Sequence, residues 1–83
     1  MPDPRSPIQH ALLMRRRDPA TGASRLFGLM IERDLFGAVR LVWRTTAAGR
    51  TREASADYPD EEAAGVALQA LAAAKRRQGY EDL

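Results

Sequence analysis

The side chains able to do catalytic chemistry are few in this chain. His10 is the single histidine and no cysteine occurs, so the usual partners of a metal site or an activated nucleophile are missing. Asp57, Asp60, Glu61 and Glu62 could attract a cation, but a capped helix start explains them better. We therefore predict that the protein is not an enzyme, uses no metal or cofactor, and keeps His10 as a half-exposed strand residue.

Arginine dominates the remaining chemistry, since it supplies twelve of the thirteen basic residues while the net charge is only +2. Guanidinium groups bind phosphate through pairs of parallel hydrogen bonds and stack on flat rings. Four arginines surround one predicted turn beside an aromatic residue, and together they form our candidate nucleic-acid-binding set: Arg40, Trp43, Arg44, Arg50 and Arg52. The competing interpretation is that these arginines are solvated surface charges, because Arg is the default cation of this chain.

Two further basic runs have simpler explanations. Residues 15–17 fit a solvated strand end, and residues 75–77 complement the dipole at the end of a helix. Neither run is therefore included in the candidate set.

Length and composition indicate one small domain in a reducing compartment. A chain of 83 residues buries only about 60% of its unfolded surface, so its core is small. The lack of cysteine fits the cytoplasm, no signal peptide is visible, and no run approaches the roughly 20 apolar residues of a membrane span. We predict a disordered lead-in over residues 1–7, a single domain over residues 8–83, a cytoplasmic location and no membrane partner.

The elements that must position the arginines are predicted from apolar alternation. Residues 25–33 are apolar on both faces, which favours a central strand. Residues 38–45 form a second strand after a Gly-containing turn at residues 34–37, and residues 50–58 form a weaker third strand after another such turn. These segments predict a meander of antiparallel strands.

Trp43 has two interpretations. It shares a strand face with Val39 and Leu41, opposite Arg40 and Arg44, so it could fill the core beneath a helix. Alternatively, its indole is partly exposed and stacks on nucleic acid. The shared apolar face favours a mainly structural role.

The segment from Ile8 to Arg17 is ambiguous from its residues alone. Ser6 and Pro7 resemble a helix start, and local propensity slightly favours a helix. Strand alternation fits too, with Leu12 and Met14 sharing one face.

The C-terminal helix is the clearest single element. Asp60 is a good N-cap, and the interior is rich in alanine. Gly79 provides a left-handed stop after residues 75–77, and Tyr80 can fold back onto the final turn. The predicted buried stripe follows helical spacing: Ala64, Ala67, Leu68, Leu71 and Ala74.

Three segments, taken in order, carry a resemblance to a known family. They are Arg25-Leu26-Phe27 leading to Leu35-Phe36-Gly37, Leu41-Val42-Trp43 leading to Gly49-Arg50-Thr51, and Lys75-Arg76-Arg77-Gln78-Gly79-Tyr80. This succession, over roughly residues 11–80, resembles a WGR domain. That module is named for a Trp-Gly-Arg motif and occurs in DNA-damage-activated poly(ADP-ribose) polymerases and in many small bacterial proteins. Here Trp43-Arg44-Thr45 stands where the family has its Trp-Gly-Arg.

The resemblance implies an α+β fold, with an antiparallel sheet of about four strands and one C-terminal helix packed across it. It also favours a strand over residues 8–17, because sheet neighbours can override local propensity. In those polymerases the domain touches DNA through its Trp and Arg.

Two functions follow for this chain. The first is a non-catalytic DNA-binding module that acts through the Arg-rich hairpin. The second is a protein-interaction or regulatory module without DNA affinity.

Overall fold

The computed structural model describes residues 10–83 and has an α+β fold, as predicted. An antiparallel sheet carries one helix packed across one face, which confirms the predicted architecture. The elements in chain order are β1 (Ala11–Arg17), β2 (Ser24–Arg33), β3 (Val39–Ala47), β4 (Arg50–Tyr58), α1 (Glu61–Arg77) and β5 (Glu81–Asp82). The predicted lead-in over residues 1–7 lies outside the described residues.

The sheet has five strands within residues 10–83, so the prediction of about four is corrected by one. The spatial order is β4-β3-β2-β1-β5, and every neighbouring pair is antiparallel. The fifth strand pairs Met14 with Asp82 and Arg15 with Glu81. The Leu83 N–H also donates to the Leu13 carbonyl at 2.9 Å. A strand of two residues shows no alternation, so its sequence alone carried no signal.

β1 settles the ambiguous N-terminal segment as a strand from Ala11 to Arg17. It pairs with β2 along its whole length and with β5 at its middle, so hydrogen bonds on both edges outweigh the helical propensity. The Ile31 N–H donates to the His10 carbonyl at 2.7 Å, which extends the ladder by one residue. Ile8 and Gln9 lie outside the described residues.

The core lies between the helix and one face of the sheet. Met14, Phe27 and Leu41 are almost fully buried there. Leu29, Ile31, Val39 and Tyr80 complete the same cluster with α1. Every one of these strand residues has the parity that the alternation predicted.

The buried seam of α1 runs through Ala64, Leu68 and Ala72, four residues apart. Ala67 and Leu71 are only partly buried beside it. The predicted stripe therefore contained two of the three seam residues, Ala64 and Leu68, and missed Ala72. Small residues at this seam let the helix lie close to the sheet.

Both helix ends are capped as the sequence predicts. The Asp60 side chain accepts a hydrogen bond from the Ala63 N–H at 2.8 Å. Gly79 has φ +97°, and the Tyr80 N–H donates back to the Lys75 carbonyl at 3.0 Å. Tyr80 then packs edge-on against Phe27, with ring centroids 6.2 Å apart.

The turn between β3 and β4 is tight. Ala48 and Gly49, with φ of +52° and +75°, are its two central residues, and they connect the closing pair Ala47 and Arg50. Positive φ at both central positions identifies the type I′ hairpin turn, which matches the twist of the flanking strands. Ala48 adopts this left-handed conformation without the glycine that would favour it.

In residues 10–83 no helix combines the length and apolar character needed to cross a membrane.

Candidate nucleic-acid interface

Trp43 lies on the helix-covered face of the sheet. It stands between Leu29 on β2 and Ala54 on β4 and packs, partly buried, against the core cluster. Its position agrees with the structural interpretation of this residue. An indole held in this way offers little free ring surface for stacking on a base.

Arg40 and Arg44 lie on the opposite face of the sheet, called here the helix-free face. The Arg44 Nε donates to Glu53 Oε2 at 3.0 Å, and the two residues are opposite one another in the β3–β4 ladder. Arg40 lies opposite Asp57, with the closest nitrogen and oxygen 4.0 Å apart. The charges of both arginines are therefore locally compensated, which weakens their attraction for a phosphate.

Arg50 and Arg52 lie on the helix-covered face, at the end nearest the β3–β4 turn. Arg50 is opposite Ala47, Arg52 is opposite Thr45, and both are exposed. Neither forms an ion pair with any residue in the described part of the chain. The structure thus divides the predicted set between two faces of the sheet, with Arg50, Arg52 and Trp43 on one and Arg40 and Arg44 on the other.

Two arginines outside the predicted set join Arg50 and Arg52. Arg16 on β1 and Arg25 on β2 are direct cross-strand partners on the same helix-covered face, and Arg25 is also opposite Ala47. Like charges that face each other in a sheet are destabilising. We call these four exposed residues the basic end: Arg16, Arg25, Arg50 and Arg52.

A small cavity of about 180 Å³ opens between two arginines of the basic end. Arg16, Arg25, Asp18 and Ala23 line it. Asp18 uses its side chain to hold the β1–β2 loop, accepting a hydrogen bond from the Ala20 N–H at 2.9 Å. Neither arginine forms an ion pair with Asp18 or with any other acid among residues 10–83.

Sequence reasoning missed Arg16 and Arg25 because their proximity depends on the register between β1 and β2. Strand parity placed Arg16 with Met14, and Arg25 with Phe27. Alternation within each strand does not determine the register between strands. In the structure Met14 faces Phe27, and this register brings the two arginines opposite one another.

The C-terminal end of α1 lies over the same end of the sheet. A Cβ on Gly79 would lie 3.7 Å from the Arg16 Nε. The Lys75 Nζ is 4.6 Å from the centroid of the Phe27 ring and 5.3 Å from that of Tyr80, so this ammonium covers two aromatic rings. The helix-end carbonyls offset part of the positive charge there.

Arg76 forms an ion pair with Asp82 of β5 and does not add to the basic end. Its Nε and Nη2 donate to the two oxygens of Asp82 at 2.9 and 2.7 Å. These hydrogen bonds hold the pKa of the Asp82 carboxyl below its ordinary value and raise the pKa of Arg76. This ion pair links the end of α1 to β5.

The acidic residues near the helix start have structural partners. Glu61 accepts a hydrogen bond from Arg33, and its Oε2 lies 2.8 Å from the His10 Nε2, while Asp60 caps the helix. Across residues 10–83 no group of three or more His, Cys, Asp or Glu side chains is arranged to hold a metal ion.

No family model, no curated protein and no solved structure matches this chain. The WGR resemblance therefore stays a prediction that rests on the residues themselves. In the structure its Leu35-Phe36-Gly37 segment forms the β2–β3 turn, where the Asp34 side chain accepts hydrogen bonds from the Phe36 and Ala38 N–H groups at 2.8 and 2.9 Å.

Proposed function

We propose that this chain is a WGR-like, non-catalytic DNA-binding module that holds the phosphate backbone at its basic end. The observation that carries the proposal is the direct pairing of Arg16 with Arg25 on adjacent strands, without an ion pair to any described acid. A fold gains nothing from two facing cations. An anion seated between them would remove the repulsion and gain charge-assisted hydrogen bonds.

The geometry of the basic end suits a phosphate chain better than a single anion. Arg25 and Arg50 are separated by one intervening strand, so their backbones lie about 10 Å apart at the usual strand spacing. Arg52 lies one step further along β4 on the same face. Long guanidinium side chains from these positions can reach successive phosphates of one strand.

The binding should be insensitive to base sequence. The basic end lies on a sheet surface, and Trp43 is held against the core, so neither a groove-reading helix nor a free stacking platform accompanies the arginines. Contacts to phosphate position a protein on DNA but carry no sequence information.

Fluorescence anisotropy with short blunt, nicked and single-stranded DNA at several salt concentrations tests the proposal. We expect micromolar or weaker affinity that falls steeply with salt, since each neutralised phosphate of duplex DNA contributes a slope of about −0.9 in log K against log [salt]. Changing Arg25 and Arg50 together to Gln should weaken binding to all sequences equally. It should also make the salt dependence shallower, reducing the magnitude of the slope by about 2.

The matched control is Arg40→Gln with Arg44→Gln, which removes the same charge from the helix-free face. This pair should leave the salt slope nearly unchanged. No detectable binding of the wild type at low salt, or equal losses in both double variants, would contradict a DNA site at the basic end.

A protein-interaction function is the second candidate, and an apolar turn favours it. Leu35 and Phe36 are 100% and 94% exposed at the tip of the β2–β3 turn, although the Asp34 side chain holds that turn in one conformation. Exposed apolar pairs on an ordered turn are typical anchors for a pocket in a partner.

The two candidates predict different sensitive residues. Changing Leu35 and Phe36 to Ser should abolish capture of a protein partner while leaving thermal stability and DNA anisotropy unchanged. Capture that persists in this variant would exclude the turn as the contact.

A further inference from the structure

β4 is an edge strand of unusual length for an open edge. It runs for nine residues, contains no proline, and within residues 10–83 has β3 as its only neighbour in the sheet. No described residue hydrogen bonds to its outer side. Natural proteins generally cover or interrupt such an edge, because its free N–H and C=O groups form a template for another strand.

The hairpin turn determines which backbone groups of β4 point outward. In a two-residue type I′ hairpin the residues flanking the turn, Ala47 and Arg50, form a hydrogen-bonded pair. Such pairs alternate with non-hydrogen-bonded ones along an antiparallel ladder. The outward N–H and C=O groups therefore belong to the remaining alternate residues: Thr51, Glu53, Ser55 and Asp57.

We propose that β4 pairs antiparallel with β4 of a second copy of this chain, across a two-fold axis that passes beside Ala54. In this register Thr51 faces Asp57 of the second copy, and Glu53 faces Ser55. All four outward-pointing residues then lie in hydrogen-bonded pairs, and each pair exchanges two backbone hydrogen bonds. The two sheets join into one continuous sheet, with both helices on the same side.

Charge selects this register over its neighbours. Side chains of paired residues must share a face, so the axis can move only in whole-residue steps along β4. One step toward the turn brings Glu53 against Glu53, and one step toward the helix brings Glu53 against Asp57. When the axis lies beside Ala54, no like charges face each other, and Arg50 lies across from the Tyr58 ring of the second copy.

The middle of β4 also suits close approach. Ala54, Ser55 and Ala56 are small, and Ala54 and Ser55 are exposed. Antiparallel pairing lays the turn end of each β4 beside the helix end of the other, where Asp57 faces the uncharged Thr51 and not another acid. The dimer does not depend on the proposed DNA contact.

Sedimentation equilibrium over a range of protein concentrations tests the dimer. We expect a reversible dimer with a Kd in the range of about 10 μM to 1 mM, because pairing of one edge buries less than a standard interface. Ser55→Pro should weaken dimerisation at least about tenfold, since it removes an outward N–H but no hydrogen bond to β3. Ser55→Ala is the matched control and should dimerise like the wild type.

Two substitutions at Thr51 keep the test decisive if Ser55→Pro does not fold. Thr51→Lys places a cation opposite Asp57 of the second copy and should tighten the dimer, whereas Thr51→Asp should weaken it. Amide exchange provides a direct structural measurement, because the Glu53 and Ser55 N–H groups should become protected as concentration rises. A chain that stays monomeric up to about 1 mM, or a dimer indifferent to all three changes, would overturn the proposal.

Discussion

At the scale of single residues, Trp43 shows how one side chain can serve the core and border a surface. Its strand parity commits it to the face covered by α1, where it packs beside the core cluster. Arg52 lies on that same face, diagonal to Trp43 across the β3–β4 ladder. The partly buried indole thus helps to hold β3, the strand between Arg25 and the two arginines of β4, against the core.

Replacing Trp43 should therefore affect stability before it affects binding. Trp43→Ala is expected to lower the free energy of unfolding by about 2–4 kcal/mol, somewhat less than for a fully buried aromatic. Urea denaturation followed by circular dichroism measures this loss. Trp43→Phe is the control, and it should keep the salt-dependent DNA affinity of the wild type. A stable Trp43→Ala protein that has lost DNA binding would instead assign the indole a stacking role.

The parts of the fold that could be predicted are those in which a residue's neighbours in the sequence determine its position. Alternation in β3 correctly separated Val39 and Leu41 from Arg40, and Gly79 ended the helix as expected. Arg16 and Arg25 could not be paired in advance, because cross-strand register is a tertiary property. β5 could not be predicted either, since it exists only where Gly79 and Tyr80 direct the chain back toward β1.

At the scale of elements, α1 is attached along a narrow seam. Leu68 is fully buried at its centre, whereas Leu71 lies at the border of the contact. The other two seam residues, Ala64 and Ala72, bury little area each, so Leu68 carries a large share of the helix–sheet contact.

Comparing the two leucines measures the width of that seam. Leu68→Ala should lower the free energy of unfolding by about 2–5 kcal/mol, and Leu71→Ala by clearly less, since solvent already reaches its side chain. Chemical denaturation of both variants gives the comparison. Equal losses would show that the helix also rests firmly on its Leu71 side.

The attachment of β5 to the end of α1 should respond to acid. The pKa of the Asp82 carboxyl is lower in the folded protein than its ordinary value of 3.8, because it accepts hydrogen bonds from Arg76. Its contribution to stability is therefore complete above that ordinary value and is lost as pH falls through the lowered folded value.

Melting temperatures measured between about pH 2 and pH 6 check this linkage. Wild type should be more stable than Asp82→Asn at the upper end of the range, and the difference should vanish at the lower end. A difference that stays constant with pH would mean that the Asp82 charge plays no part in holding β5.

At the scale of the whole molecule, charge is separated along the strands. The basic end lies beside the β1–β2 and β3–β4 connections, while Asp57, Asp60, Glu61 and Glu62 lie toward the start of α1. A net charge of +2 therefore understates the local field at either end of the strands. Such separation can orient the protein as it approaches a polyanion. In the proposed dimer, each basic end would lie beside the acidic end of the second copy.

The position of β5 also has a consequence for folding rates. β1 to β4 form a meander in which every strand pairs with its chain neighbour, so those contacts close short loops. The pairing of Met14 with Asp82 joins opposite ends of the described chain and carries the largest loop-closure entropy. We expect it to form after the folding transition state. Weakening it should therefore accelerate unfolding and leave the refolding rate almost unchanged.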